Sequence, residues 1–205
     1  ANTSAILQSL PLAVTLGDQA VFEAVLAALG LPRGWQKRLA RAFGAPDLLE
    51  AALADLSRDP AAGAAGAAEV ALPDMSDRDG LLVHITQAMD KAGISPGAGR
   101  TPEEIARRLA EKAEMRSVRL PERALSALKA FLAIDVPLEE AAATLAGFAR
   151  DTGLVIDAAL ATFAARADAV ALAGLPRGSV RYDAAFGRPL DYYTGLVFEI
   201  THDGA

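Results

Sequence analysis

Residues 187–200, Gly-Arg-Pro-Leu-Asp-Tyr-Tyr-Thr-Gly-Leu-Val-Phe-Glu-Ile, gather side chains that could hold a small polar ligand. Arg188 can grip a carboxylate or a phosphate through a planar, two-pronged guanidinium. Tyr192 and Tyr193, two of the three tyrosines in the chain, can stack on a ring and also exchange hydrogen bonds through their hydroxyls. A zwitterion with a polar ring, such as an amino acid, suits this set. A plain hairpin with aromatic residues on both faces accounts for the same letters, so the residue types alone leave both readings open.

Other charged groups read as structural. Arg33, Lys37 and Arg41 recur at i, i+4 and i+8, with Arg38 adjacent, which could face phosphates but fits a solvated helix face better. Residues 103–123 mix Arg107, Arg108, Lys112 and Arg116 with Glu103, Glu104, Glu111 and Glu114, as in helix-surface pairing. His84 sits near Leu81 and Ile85 and reads as a partly packed helix residue. His202 stands beside Asp203. Neither histidine makes a recognisable metal-ligand pattern with a second residue, so no metal site is expected. No phosphate-binding loop, dinucleotide fingerprint or nucleophile elbow is present. No catalytic residue is assigned and no cofactor is expected.

Two kinds of element must position Arg188 and the tyrosines. Leu12 to Leu16 is short and apolar and reads as a strand; Gly17-Asp18 breaks it, and Asp18 is placed to cap a helix. Val21, Phe22, Val25, Leu26 and Leu29 follow at helical spacing, with Gly30 and Pro32 as the stop. From about residue 33 to 175 the pattern is helical almost throughout. Trp35, Leu39 and Phe43 mark one helix and Leu49, Leu53 and Leu56 the next. Residues 58–73 form an alanine/glycine stretch expected as a surface loop. Ser76 or Asp77 could cap a helix carrying Leu81, Ile85 and Met89. Thr101-Pro102-Glu103-Glu104 is a capping box with proline at the first helical position, opening a helix with Ile105 and Leu109 inward. Leu125, Leu128 and Leu132, then Leu138, Leu145 and Phe148, then Ile156, Leu160 and Phe163 mark three more helices. After Pro176 the period changes to two. Val180, Tyr182, Ala184 and Phe186 alternate with Arg181, Asp183 and Ala185, and Leu196, Phe198 and Ile200 alternate with Val197, Glu199 and Thr201. The short Gly187–Gly195 connection lets these strands run antiparallel. Strands only at the two ends of the chain, with an edge left open, predict a piece of a larger domain.

Composition narrows the function classes. The 205 residues are 52% hydrophobic, much of it alanine, and only 5% aromatic, which predicts a helix-rich protein with a modest core. A net charge of −6 and a pI of about 5.0 argue against nucleic-acid binding, which leaves a basic footprint. No run of 18 apolar residues predicts a membrane span. The chain has no cysteine, hence no disulfide and no thiolate metal site. A cytoplasmic protein is the simplest expectation.

The 187–200 stretch is similar to the histidine-binding signature of histidyl-tRNA synthetases and their relatives, in which Arg-Gly-Leu-Asp-Tyr-Tyr-Thr-Gly precedes a strand containing Val-Phe-Glu. The opening Val-Thr-Leu-Gly-Asp strand and its helix also resemble the element that precedes the inserted helical lobe of that family. The likeness is sharp for about thirty residues at the two ends and architectural in between. It implies an α+β fold: a fragment of a class II aminoacyl-tRNA synthetase-like antiparallel-sheet domain with a large, mostly helical insertion. Residues 1–32 and 176–205 would be parts of the core, and 33–175 the insertion. It further implies that Arg188, Tyr192 and Tyr193 bind histidine, with Asp191 orienting the loop and Glu199 on a structural strand face.

Two departures bear on function. Pro189 replaces the family glycine after the arginine, fixing φ and removing an amide donor beside the key side chain. Val180-Arg181-Tyr182-Asp183 is more similar to the regulatory paralogue, which keeps the fold and has lost aminoacylation. The implied role is therefore the non-catalytic regulatory subunit of ATP phosphoribosyltransferase, the first enzyme of histidine biosynthesis. Its expected partners are the catalytic subunit and free histidine as effector, in a homodimer within a hetero-oligomer. The alternative is a histidyl-tRNA synthetase, which would keep ATP-binding residues and an anticodon domain. A third reading is a helical interaction module with a vestigial pocket.

Overall fold

Leu12–Asp18 forms strand β1, and Asp18 ends it by capping α1 (Gln19–Ala28): its Oδ1 accepts from the backbone N–H of Ala20 at 2.9 Å and of Val21 at 3.4 Å. The carboxylate thus satisfies amides that have no partner inside the helix. The computed structural model describes residues 12–58, 78–95, 101–117, 120–176, 178–189 and 194–202. The loop expected at 58–73 lies outside these from residue 59 onward, as do Ser76, Asp77, Asp191, Tyr192 and Tyr193.

The remaining elements are α2 (Arg33–Ala42), α3 (Pro46–Ser57), α4 (Arg78–Lys91), α5 (Pro102–Ser117), α6 (Glu122–Leu132), β2 (Asp135–Pro137), α7 (Leu138–Thr152), α8 (Asp157–Ala171), β3 (Val180–Asp183) and β4 (Leu196–His202). The chain is an α+β protein with more helix than strand. It divides into two compact units, Ala1–Ser57 with Leu120–Ala205, and Arg58–Arg119.

In the first unit the four strands lie in the order β2-β3-β1-β4. β3 runs parallel to β1, with Leu16 opposite Tyr182, and β4 runs antiparallel to β1, with Leu16 opposite Phe198. The two late strands therefore do run in opposite directions, but β1 lies between them. A local hairpin reading misses this, because the pairing that separates them comes from more than 160 residues earlier in the chain.

β2 is an addition inside the stretch read as helical. Three residues are too few to show a period of two, and this strand exists because β3 supplies the partner. An ion pair secures it, with Arg181 Nη2 2.8 Å from Asp135 Oδ1. The strand expected over 180–186 stops at Asp183, whose Oδ1 accepts from the Ala185 N–H at 2.8 Å and turns the chain.

Opposed residues in a sheet share a face. Val14, Leu16, Val180 and Tyr182 are buried beneath the helices. Aromatic rings meet within a mainly aliphatic core: Phe22 stacks on Phe43 with centroids 4.3 Å apart and lies 6.2 Å from Phe131, while Phe163 meets Tyr182 edge-on at 4.8 Å. The other face carries Ala13, Thr15, Arg181, Glu199 and Thr201, which are exposed or half-buried, and Gly17 and Val197, which are buried; Phe198 and Ile200, opposite Leu16 and Val14, are exposed.

Tyr182 is fully buried, yet its hydroxyl has no hydrogen-bond partner among the described residues. Burial, and then the negative charges of Asp18 and Asp183, push its phenol well above the ordinary value. A raised folded-state pKa stabilises the fold below the unfolded value of about 10 and withdraws that contribution as pH climbs past it. Tyr182→Phe removes an unpaired polar atom, so its stability at pH 7 is expected to match or exceed the parent. It should also lose less stability between pH 9 and 11 than the parent, as urea unfolding across that range will show. A variant destabilised by more than about 1.5 kcal/mol at pH 7 would mean that the hydroxyl is bonded after all.

The second unit packs α4 on α5 through Leu81, Ile85, Met89 and Ala106, with Leu82, Ile105 and Leu109 against them. At the capping box the Glu104 N–H donates to Thr101 Oγ1 at 3.3 Å.

Candidate functional site

The segment leading to Arg188 leaves β3 through the Asp183 turn, where the Phe186 N–H donates to the Asp183 carbonyl at 3.1 Å. Gly187 is buried, and the chain surfaces again at Arg188. The guanidinium lies over the Phe186 ring, 5.2 Å from its centroid. Its Nη2 donates to Glu199 Oε1 at 3.2 Å. Glu199 stands opposite Thr15 on the neighbouring strand, and Thr15 stands opposite Arg181. The Arg188 side chain is thereby held at Glu199, on the face of the sheet that carries Thr15 and Arg181.

This arrangement suits an anion site. The side chains of Arg188 and Glu199 are 42% and 47% exposed, and exposed pairs of this kind contribute only about 0–1 kcal/mol. A carboxylate arriving from solvent can compete with Glu199 at little cost, and stacking on Phe186 keeps the guanidinium in place meanwhile. Glu199, expected on a strand face, is on one, and it is also the partner of Arg188. Tyr192 and Tyr193 lie outside the described residues, so the described part of the site is Arg188, Phe186, Glu199 and the strand residues beside them.

The far end of the same motif is anchored differently. The Gly195 carbonyl accepts from the Gln19 N–H at 3.0 Å. Beside it lies Arg166 of α8, whose Nη1 donates to Asp18 Oδ2 at 2.7 Å. The Asp18 side chain is fully buried and that of Arg166 is 35% exposed. Sequence reading missed Arg166. No local signal could find it, since its partner is 148 residues away.

The other candidates fall elsewhere. Arg33, Lys37 and Arg41 are on the exposed side of α2, while Trp35, Leu39 and Ala42 are buried. Arg38 stacks on Trp35 at 4.8 Å and pairs with Asp55. His84, expected to be partly packed, is exposed on α4, because Leu81 and Ile85 take the face against α5. Among the described residues, no helix is long and apolar enough to cross a membrane, and no group of three His, Asp or Glu side chains could hold a metal.

The chain is 60% identical over 201 residues to the ATP phosphoribosyltransferase regulatory subunit of Mesorhizobium japonicum, covering 98% of this chain and 54% of that protein. The chain is a relative of these regulatory subunits. Those of a Chelativorans strain and of Rhizobium meliloti are 58% and 53% identical, over 98% and 94% of the chain. The chain spans about half the length of the curated relatives it matches, 54% and 52% in these two cases. No protein-family profile matches it. Among solved structures, a histidine–tRNA ligase subunit from Alicyclobacillus acidocaldarius aligns over 95% of this chain and 43% of its own, at 20% identity and a TM-score of 0.35.

Proposed function

We propose that the protein is a non-catalytic regulatory subunit of ATP phosphoribosyltransferase, supporting the first step of histidine biosynthesis and making it sensitive to histidine. The observation that carries this reading is 60% identity over 98% of the chain to a protein of that name. It acts in the cytoplasm, as a homodimer within a hetero-oligomer with the catalytic subunit. Histidine is the effector. Arg188 takes its carboxylate, and by the family likeness Tyr192 and Tyr193 belong to its pocket. Feedback needs only that histidine bind one state of the complex more tightly than the other, a coupling of about 1–3 kcal/mol in typical allosteric proteins.

The test mixes the full-length gene product with the catalytic subunit from the same source. Phosphoribosyl transfer should rise on mixing and become histidine-sensitive, and the regulatory chain alone should show no histidine-dependent ATP–pyrophosphate exchange. Arg188→Ala should weaken histidine inhibition roughly 10- to 150-fold, the equivalent of a lost charge-assisted bond of about 1.5–3 kcal/mol, while the subunits still assemble. Robust pyrophosphate exchange, or a catalytic subunit indifferent to the added chain, would overturn the reading.

A further inference from the structure

The backbone entering Arg188 runs closer to its neighbours than side chains normally allow. A β-carbon built on Gly17 of β1 would lie 2.7 Å from the Phe186 carbonyl carbon and nearer still to its oxygen. One built on Gly44, just past α2, would lie 2.7 Å from the Arg188 amide nitrogen and nearer still to the Gly187 carbonyl. One built on Gly187 would run into the Phe43 ring, 2.7 Å from its Cγ with two other ring atoms closer. The atoms in the way are backbone or a fully buried ring stacked on Phe22, so none can swing aside as a flexible side chain would.

The geometry points to Gly17, Gly44 and Gly187 as positioning residues that seat Arg188 for its ligand. The three come from β1, from the turn after α2, and from the segment itself. Together they let residues 186–188 lie flat between the sheet and the end of α2. That fixes where the Arg188 side chain starts, and the Phe186 ring and Glu199 then fix where it points. The inference rests on the reading of Arg188 as a histidine-binding residue. It adds that α2, through Gly44, sets the geometry of that residue without touching ligand.

Gly30 supplies the control. It follows α1 at φ 71°, as Gly44 follows α2 at φ 81°, so alanine meets similar backbone strain at both. At Gly30, however, a β-carbon would meet nothing within 4 Å. In the full-length protein, Gly44→Ala should weaken histidine binding by about tenfold or more by calorimetry, whereas Gly30→Ala should leave it unchanged. Backbone amides of residues 186–188 should exchange faster with solvent in the first variant only. Equal affinities in the two folded variants would overturn the inference. Should Gly44→Ala not accumulate, Gly187→Ala is compared in the parent and in a Phe43→Ala background. Weakening that disappears once the ring is gone supports the seat, and equal weakening in both backgrounds overturns it. If the parent itself binds no histidine, the ligand reading fails, and hydrogen exchange alone decides the seat: faster exchange confined to Gly44→Ala upholds it, and equal exchange refutes it.

Discussion

Replacing Phe22 by alanine is expected to cost about 3–5 kcal/mol, the range for emptying a buried aromatic site. Phe22 is wholly shielded from solvent, with Phe43 stacked at 4.3 Å and Phe131 at 6.2 Å. These rings come from α1, from the end of α2 and from α6, so no single element can close over the hole. Domains of this kind hold only about 5–15 kcal/mol in total, so a large part of the stability goes with one side chain. Phe22→Leu keeps most of the volume and should cost clearly less. Urea unfolding of both variants provides the comparison, and a loss under about 1 kcal/mol for alanine would show that the ring is not packed as described. Because Phe43 also lies against Gly187, Phe22→Ala should loosen the Arg188 segment as well.

Asp18→Ala should be the next most damaging change, at about 1–2 kcal/mol. The N-terminal cap of α1 accounts for about 1 kcal/mol of that. The rest comes from the bond to Arg166, which is discounted because Arg166 is 35% exposed and can turn to water once its partner is gone. Asp18→Asn separates the two contributions. Its amide oxygen can still cap the helix, so it should fall between the parent and alanine. A double-mutant cycle with Arg166→Ala should return a coupling above about 0.5 kcal/mol. Additive effects would show that the two side chains do not act on one another.

The first unit was readable in part because several of its signals are local. Asp18 caps the helix it was expected to cap, and Val21, Phe22, Val25 and Leu26 form the buried stripe that their spacing predicts. Leu128 was legible in the same way. Phe131 was not: leucine spacing drew attention to Leu125 and Leu132, and the buried face of α6 turned out to hold Ala127, Leu128 and Phe131. Small alanines at helical positions weaken the contrast between faces, which blurs where a stripe points.

What the sequence by itself determined are the features whose causes lie within a few residues: the start of α1, the helical middle, the change to strands after Pro176, and the Arg188 motif with the family likeness it carries. Tertiary structure alone decided the rest. β1 lies between β3 and β4, β2 exists only as a partner of β3, and the Arg188 side chain is held at Glu199. Asp18 finds Arg166 across 148 residues, and three glycines from separate elements meet around residues 186–188. Each of these contacts joins parts of the chain whose composition says nothing about the other. Their pairing follows from which surfaces the buried core forces together, and no local pattern encodes that.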